Sequence, residues 1–259
     1  MIGVLTALSD DTRRGLYLAF IVFLRVGAVM ALLPGFGQQP VPVRVRLVLA
    51  LAFTAVVFPA VEGTLPSPPS DGGMPWRFLV TETLAGLALG AVLRLMIIAL
   101  QFAGALAAQA TSLAQIFGGA VAEPLPAMGN LLVVAGLALA MMMGLHVRVA
   151  SALILSYDIM PAGRFPLSAA LTDWGIERIS DALALGFSLA APFIIASLIY
   201  NVALGVINRA MPQLMVAFVG APAITAGGLV LLAITVPLIL PLWIGWVDAL
   251  LANPFATSQ

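Results

Sequence analysis

The stretch from Phe78 to Leu100, FLVTETLAGLALGAVLRLMIIAL, decides the fold class, because it is long enough to cross a bilayer and almost wholly apolar. A span of the hydrocarbon core needs about 20 predominantly apolar residues in a helix. Two charges, Glu82 and Arg94, interrupt it, and Gly86 and Gly90 sit one helical turn apart within it. Runs of similar character lie on either side: Leu16 to Leu33, Val45 to Val61, Leu131 to Leu155, Ala182 to Ile207 and Leu214 to Val247. The whole chain, 1–259, therefore reads as one all-α, multi-helix hydrophobic membrane domain with about six apolar segments. The last segment is long enough for two passes. Pro222, Gly227, Gly228, Pro237 and Pro241 predict that it kinks or splits into a helical hairpin, since proline removes a backbone donor and crowds the preceding turn.

Composition agrees. Of 259 residues, 62% are apolar and 8% charged, against roughly 45–50% and about 25% in soluble domains. Eleven Arg and no Lys balance eleven acids, so no extended positive field exists to hold nucleic acid. Cysteine is absent, which removes disulfides, thiolate metal sites and a Cys nucleophile together. The N-terminus does not read as a cleaved signal, because Asp10 and Asp11 accompany Arg13 and Arg14 where a signal carries net positive charge.

Between the segments, Gly35 to Pro42 is a turn-rich bend, Glu62 to Pro75 a polar loop, and Asp158 to Asp181 the most polar stretch, with a short amphipathic element expected near Leu171 to Ile179. The positive-inside rule would place Arg44 and Arg46 in the cytoplasm and the N-terminus outside.

Charges within apolar runs need an explanation, because a charge at the centre of an isolated span costs about 2.5 to 3.5 kcal/mol on insertion scales. Arg25, Glu82, Arg94, His146 and Arg148 are such residues. One reading makes Glu82 or His146 a proton or solute site. The other pairs Glu82 with Arg25 or Arg94 across helices and leaves His146 at a segment end beside Arg148. Gly86, Gly90, Gly104, Ala107 and Ala108 supply small residues for close backbone approach, within the chain or to a neighbouring subunit. Beyond them, Gln109 to Gly119 alternates polar and apolar residues, which suits either a pore-lining re-entrant loop or an ordinary connection. Catalytic patterns are missing: one His, no Gly-x-Ser-x-Gly turn and no phosphate loop. No enzyme, metal or cofactor is expected.

The block Asn208-Arg209-Ala210-Met211-Pro212-Gln213, followed by Gly220-Ala221-Pro222, resembles the Asn-Arg-x-x-Pro-Gln motif of the FliR family of flagellar biosynthetic proteins and its injectisome relatives. Arg25, Pro34 and Pro42-Val43-Arg44-Val45-Arg46 resemble the family's opening pattern, Glu82 with Gly86 and Gly90 its third segment, and Gly144-Leu145-His146 its mid-chain turn. The match extends from about Leu16 to Trp246. The chain departs from the family at Ala107 and Thr111, where many members have glycines around the Gln, and at Glu123-Pro124, where Asp-Pro is commoner.

This resemblance implies one copy of a subunit in a hetero-oligomeric export gate of three hydrophobic proteins, in the bacterial inner membrane within the flagellar basal body. It also implies contact with further export-apparatus membrane proteins and with unfolded flagellar subunits in transit. The family's helices are not conventional lipid-facing spans, so Arg25, Glu82 and Arg94 would be satisfied across helix or subunit contacts, and the topology rule loses force. A separate ATPase and the proton gradient would supply energy. The pore or plug candidates are Gln109, Ser112, Leu113, Ile116, Phe117, Gly118 and Gly119. Those for assembly are Arg25, Pro42, Arg44, Arg46, Glu82, Gly86, Gly90, Arg94, His146, Asn208, Arg209, Pro212 and Gln213. An injectisome gate subunit and a secondary solute transporter are the competing readings.

Overall fold

Among the described residues seven α-helices follow from these apolar runs: α1 (Ile2–Leu32), α2 (Val43–Val61), α3 (Trp76–Thr111), α4 (Ala127–Met142), α5 (Leu145–Ile159), α6 (Ser168–Ala210) and α7 (Val216–Ala252), with one short 3-10 turn after α2. They come from a computed structural model that describes residues 2–35, 41–66, 76–111, 127–165, 168–211 and 216–255. No strand occurs among the described residues. Among the described residues five helices are long and apolar enough to cross a membrane, and α4 with α5, bent by 74° at their junction, make a sixth candidate. The all-α membrane architecture expected from the apolar runs is the one observed.

Where the helices break differs from the sequence reading. The last segment is one uninterrupted helix of 37 residues, not a hairpin, although Pro222, Pro237 and Pro241 lie inside it. Each proline forfeits a single hydrogen bond, whereas opening a turn in an apolar setting strips several backbone groups of partners at a cost of several kcal/mol each. The sharp bend falls instead at Gly144, whose φ of 82° lies in the left-handed region that glycine enters without a Cβ penalty. Its N–H donates to the Met141 carbonyl at 3.1 Å and its carbonyl accepts from Val147 at 3.0 Å, so one residue closes α4 and opens α5. The amphipathic element near Leu171 to Ile179 is not separate but the opening of the 43-residue α6. Helix α3 runs on to Thr111, so Gln109 belongs to its last turn rather than to the following loop.

The chain divides into two compact units. One comprises residues up to Leu95, Met141–Ile179 and the stretch from Ala249 onward; the other comprises Met96–Ala140 and Ser180–Asp248. In the first, Leu18, Ile21 and Phe78 form a buried cluster against which Tyr17, Phe58, Leu65 and Ala162 pack. The C-terminal turn is tied into this unit: Trp174 donates from Nε1 to the Pro254 carbonyl at 3.0 Å and stacks on Phe255 at 5.6 Å. In the second unit Trp243 is fully buried and donates to the Met96 carbonyl at 2.8 Å. Its core is closed by small residues, since a Cβ on Gly104 would collide with the backbone of Gly129.

Glycine also sets the packing of α1 on α3 in the first unit. A Cβ on Gly86 would run into the Arg25 carbonyl oxygen and come within 2.7 Å of Ala28 Cβ, and one on Gly90 would come within 3.2 Å of Val29 Cα. The small-residue pattern therefore serves contacts inside the chain at these positions. Gly86→Leu must push α1 and α3 apart, and overpacking of this kind costs about 1–3 kcal/mol or more. Thermal unfolding of the purified protein in detergent should show a clear drop in Tm for Gly86→Leu and a smaller one for Gly86→Ala.

Candidate functional site

Arg25 is the charge least expected in an apolar helix, and it is 1% exposed. From two turns before the end of α1 its guanidinium reaches three acceptors. Nε donates to Glu82 Oε2 on α3 at 2.9 Å, Nη1 to Ser156 Oγ on α5 at 3.0 Å, and Nη2 to the Met160 carbonyl just after α5 at 2.8 Å. The Tyr157 ring lies under the cation, 3.8 Å from centroid to guanidinium carbon. Glu82, wholly buried, uses its second oxygen to accept the Gly163 backbone N–H at 3.0 Å. Gly163 has a φ of 75°, and a Cβ there would strike the Phe78 ring, so only glycine brings that N–H to the carboxylate.

Two partners of this pair, Glu82 and Ser156, are held on helices, and two, Met160 and Gly163, in the turn that follows α5. Taking two charges out of water is offset only when geometry is good and the remaining donors and acceptors are matched, and both conditions hold here. Of the two readings offered for Glu82, the geometry gives the interhelical ion pair, with Arg25 as partner; Arg94 is exposed on α3. His146 is exposed in the first turn of α5. It lies ten residues before Ser156, roughly 15 Å along the helix, so it and Glu82 do not form a relay.

The other singled-out residues sit elsewhere. Pro42 and Arg44 are exposed at the start of α2, where the Pro42 carbonyl accepts from Val45 and Arg46, and the Arg46 side chain returns to the Val41 carbonyl at 3.2 Å. Arg148 is partly buried on α5, and Asn208 and Arg209 are exposed in the last turn of α6. Gln109 is exposed on α3. Ser112, Leu113, Ile116, Phe117, Gly118, Gly119, Pro212 and Gln213 lie outside the described residues. Sequence reasoning missed Ser156, Tyr157, Met160 and Gly163, two of which act through backbone atoms that carry no sequence signal.

Beyond the ion pair, the second unit holds an apolar cavity of about 270 Å³ bounded by Thr111, Phe193, Tyr200, Gly228, Leu231 and Ile234. Its lining offers hydroxyls but no charge. No group of three or more His, Asp or Glu with metal-holding geometry occurs among the described residues. Helices α6 and α7 expose large apolar side chains, including Leu198, Val202, Val206, Ile234, Leu238 and Leu242. The site's chemistry is thus that of a packed lock and broad apolar faces.

Removing one member of a buried ion pair leaves an uncompensated charge, at a cost of about 3–5 kcal/mol. Arg25→Met alone should therefore abolish accumulation of folded protein, whereas Ser156→Ala, which removes one of three acceptors, should cost about 1–3 kcal/mol and lower Tm without preventing folding. Protease resistance of membrane-extracted protein separates the two.

Comparison with known proteins places this architecture. The family described as bacterial export proteins, family 1, matches residues 16–250. The flagellar biosynthetic protein FliR of Caulobacter vibrioides is 35% identical over 230 residues, covering 88% of this chain and 91% of that protein. Its counterpart of the same name in Escherichia coli is 29% identical, with 92% of this chain and 91% of the relative covered. That of Bacillus subtilis is 25% identical over 86% and 88%.

Proposed function

The chain belongs to family 1 of the bacterial export proteins, and from that premise we propose that it builds part of the gated conduit through which unfolded flagellar subunits leave the cell. It is a membrane protein and a component of the flagellar type III export apparatus. The observation that carries the reading is likeness to flagellar biosynthetic proteins over nearly the full length of both chains.

In this proposal the chain works by structure, not by catalysis. It sits in the bacterial inner membrane at the flagellar base, one copy joining other hydrophobic gate subunits. Two features support a place inside an assembly. Helices α3, α6 and α7 hold 36, 43 and 37 residues, about 54, 64 and 56 Å at 1.5 Å per residue, well beyond the ~30 Å hydrocarbon core. And the apolar faces of α6 and α7 are open along much of that length, so partner helices have a surface to cover.

Leu113, Ile116 and Phe117 remain our candidates for an apolar plug, with Gln109 and Ser112 at its approach and Gly118 and Gly119 giving it freedom to move. Such a constriction stops ions by dewetting yet yields to a passing polypeptide. Arg25, Glu82, Gly86 and Gly90 serve the fold of the subunit. Pro42, Asn208, Arg209, Pro212 and Gln213 are assigned to assembly; Arg44, Arg46, Arg94 and His146, expected with them, instead make up a basic rim at one end of the first unit. A solute transporter fits less well, because the one wholly buried carboxylate among the described residues is held by Arg25 and Gly163.

A strain lacking this chain should secrete no hook or rod subunits, and a plasmid copy should restore them; normal secretion with a solute-uptake defect would remove the gate reading. In the complemented strain, Phe117→Gly should raise the leak of small solutes at rest while leaving subunit export measurable.

A further inference from the structure

The buried ion pair fixes the relative heights of α1, α3 and α5 in the first unit, the packing around Leu18 adds that of α2, and together they set the distribution of charge. Gly86 faces Arg25 and Ala28, and Gly90 faces Val29 and Leu32, so α1 and α3 run side by side in the same direction. Arg94, one turn beyond Gly90, is level with the C-terminal end of α1. Helix α2 returns antiparallel, since Phe58 and Leu65 pack at the height of Leu18, which puts Arg44 and Arg46 at that same end. Ser156 meets Arg25 and Ala162 packs near Leu18, so α5 starts at that end too, with His146 in its first turn.

Arg44, Arg94 and His146 are exposed there and Arg46 is partly so, and the described parts of α1, α2, α3 and α5 place no acid beside them. The opposite end of the same helices is mixed, with Asp11, Glu62 and Asp158 among Arg13, Arg14, Arg77 and Arg164. Apolar side chains interleave with the cations of the basic end: Val43, Val45, Leu47 and Val48 alternate with Arg44 and Arg46, and Met142, at 85% exposure, with Met143 and Val147, brackets His146.

We infer that this end of the first unit is a seat for anionic phospholipid headgroups, with the arginines meeting phosphates while the neighbouring Val, Leu and Met side chains enter the acyl region. A free phosphate or an acidic protein would satisfy the cations but give no reason for open apolar side chains alternating with them. A membrane surface takes both, because long cationic side chains reach headgroups from an apolar helix. The inference does not rest on the export reading, since any membrane protein with this rim would bind so.

The test is reconstitution of the purified full chain into nanodiscs of phosphatidylcholine alone or mixed with phosphatidylglycerol, with bound lipid counted by native mass spectrometry after release. Each arginine near an anionic surface contributes on the order of a fivefold preference, so the triple variant R44Q/R46Q/R94Q should lose roughly a hundredfold in selectivity for phosphatidylglycerol. The variant R13Q/R14Q, at the mixed end, should keep it, and folding of both is checked by unchanged Tm in phosphatidylcholine. Two results overturn the inference: wild type with no preference for phosphatidylglycerol, or a preference that inorganic phosphate at matched ionic strength abolishes, which would make the rim a site for free anions. Because the readout is lipid retention by the isolated chain, its failure leaves subunit secretion untouched.

Discussion

An arginine buried in an apolar helix cannot be left without partners, and the first unit is arranged around that constraint. Hydrophobic burial favours contact between α1, α3 and α5 but says little about their register, since apolar packing is non-directional. The Arg25 guanidinium is directional. Its donors meet a carboxylate on α3 and a hydroxyl and a carbonyl at the end of α5, and a slide of one turn would strand a charge in the core. The small residues make this possible: Gly86 lets α1 approach α3 closely, and Gly163 offers an N–H to the second carboxylate oxygen without obstructing Phe78.

Much of this was legible in the residues and some was not. Arg25 and Glu82 stood out because charges are rare in apolar runs, and the glycine spacing on α3 marked the face that packs. What picks Arg25 over Arg94 is height: Glu82 and Arg25 lie level on parallel helices, whereas Arg94 lies three turns farther along α3, level with the end of α1, where it is exposed. Ser156 looked like an unremarkable polar residue in an apolar helix, and the carbonyl of Met160 and the N–H of Gly163 have no side-chain signature at all. Breaks were misread for a related reason. Proline weight pointed to α7, but in an apolar environment the intact ladder outweighs the bonds that prolines remove. The two-residue break Met143–Gly144, with Gly144 in a left-handed conformation, turns the chain by 74°. The polar residues near Gln109 suggested a loop, yet helix α3 continues through them to Thr111.

In the proposed gate, the two kinds of surface would divide the work. A unit locked by matched charges keeps its shape, while the apolar flanks of α6 and α7 give neighbouring helices something to bind. Helices longer than a bilayer is thick fit this division, because protein contacts can take over from lipid along their length. The buried carboxylate is then a fixed structural charge, which sets this chain apart from carriers whose intramembrane acids load and release protons.

That distinction is open to direct measurement through secretion of hook and rod subunits by strains carrying Arg25→Met, Glu82→Leu, or both. If the pair is a structural lock, each single variant loses the protein and its secretion, and the double variant, with no charge left to strand, recovers a large part of both. A double variant that accumulates to wild-type levels in the membrane yet secretes nothing would contradict the account, because the carboxylate or guanidinium would then be needed for transport itself.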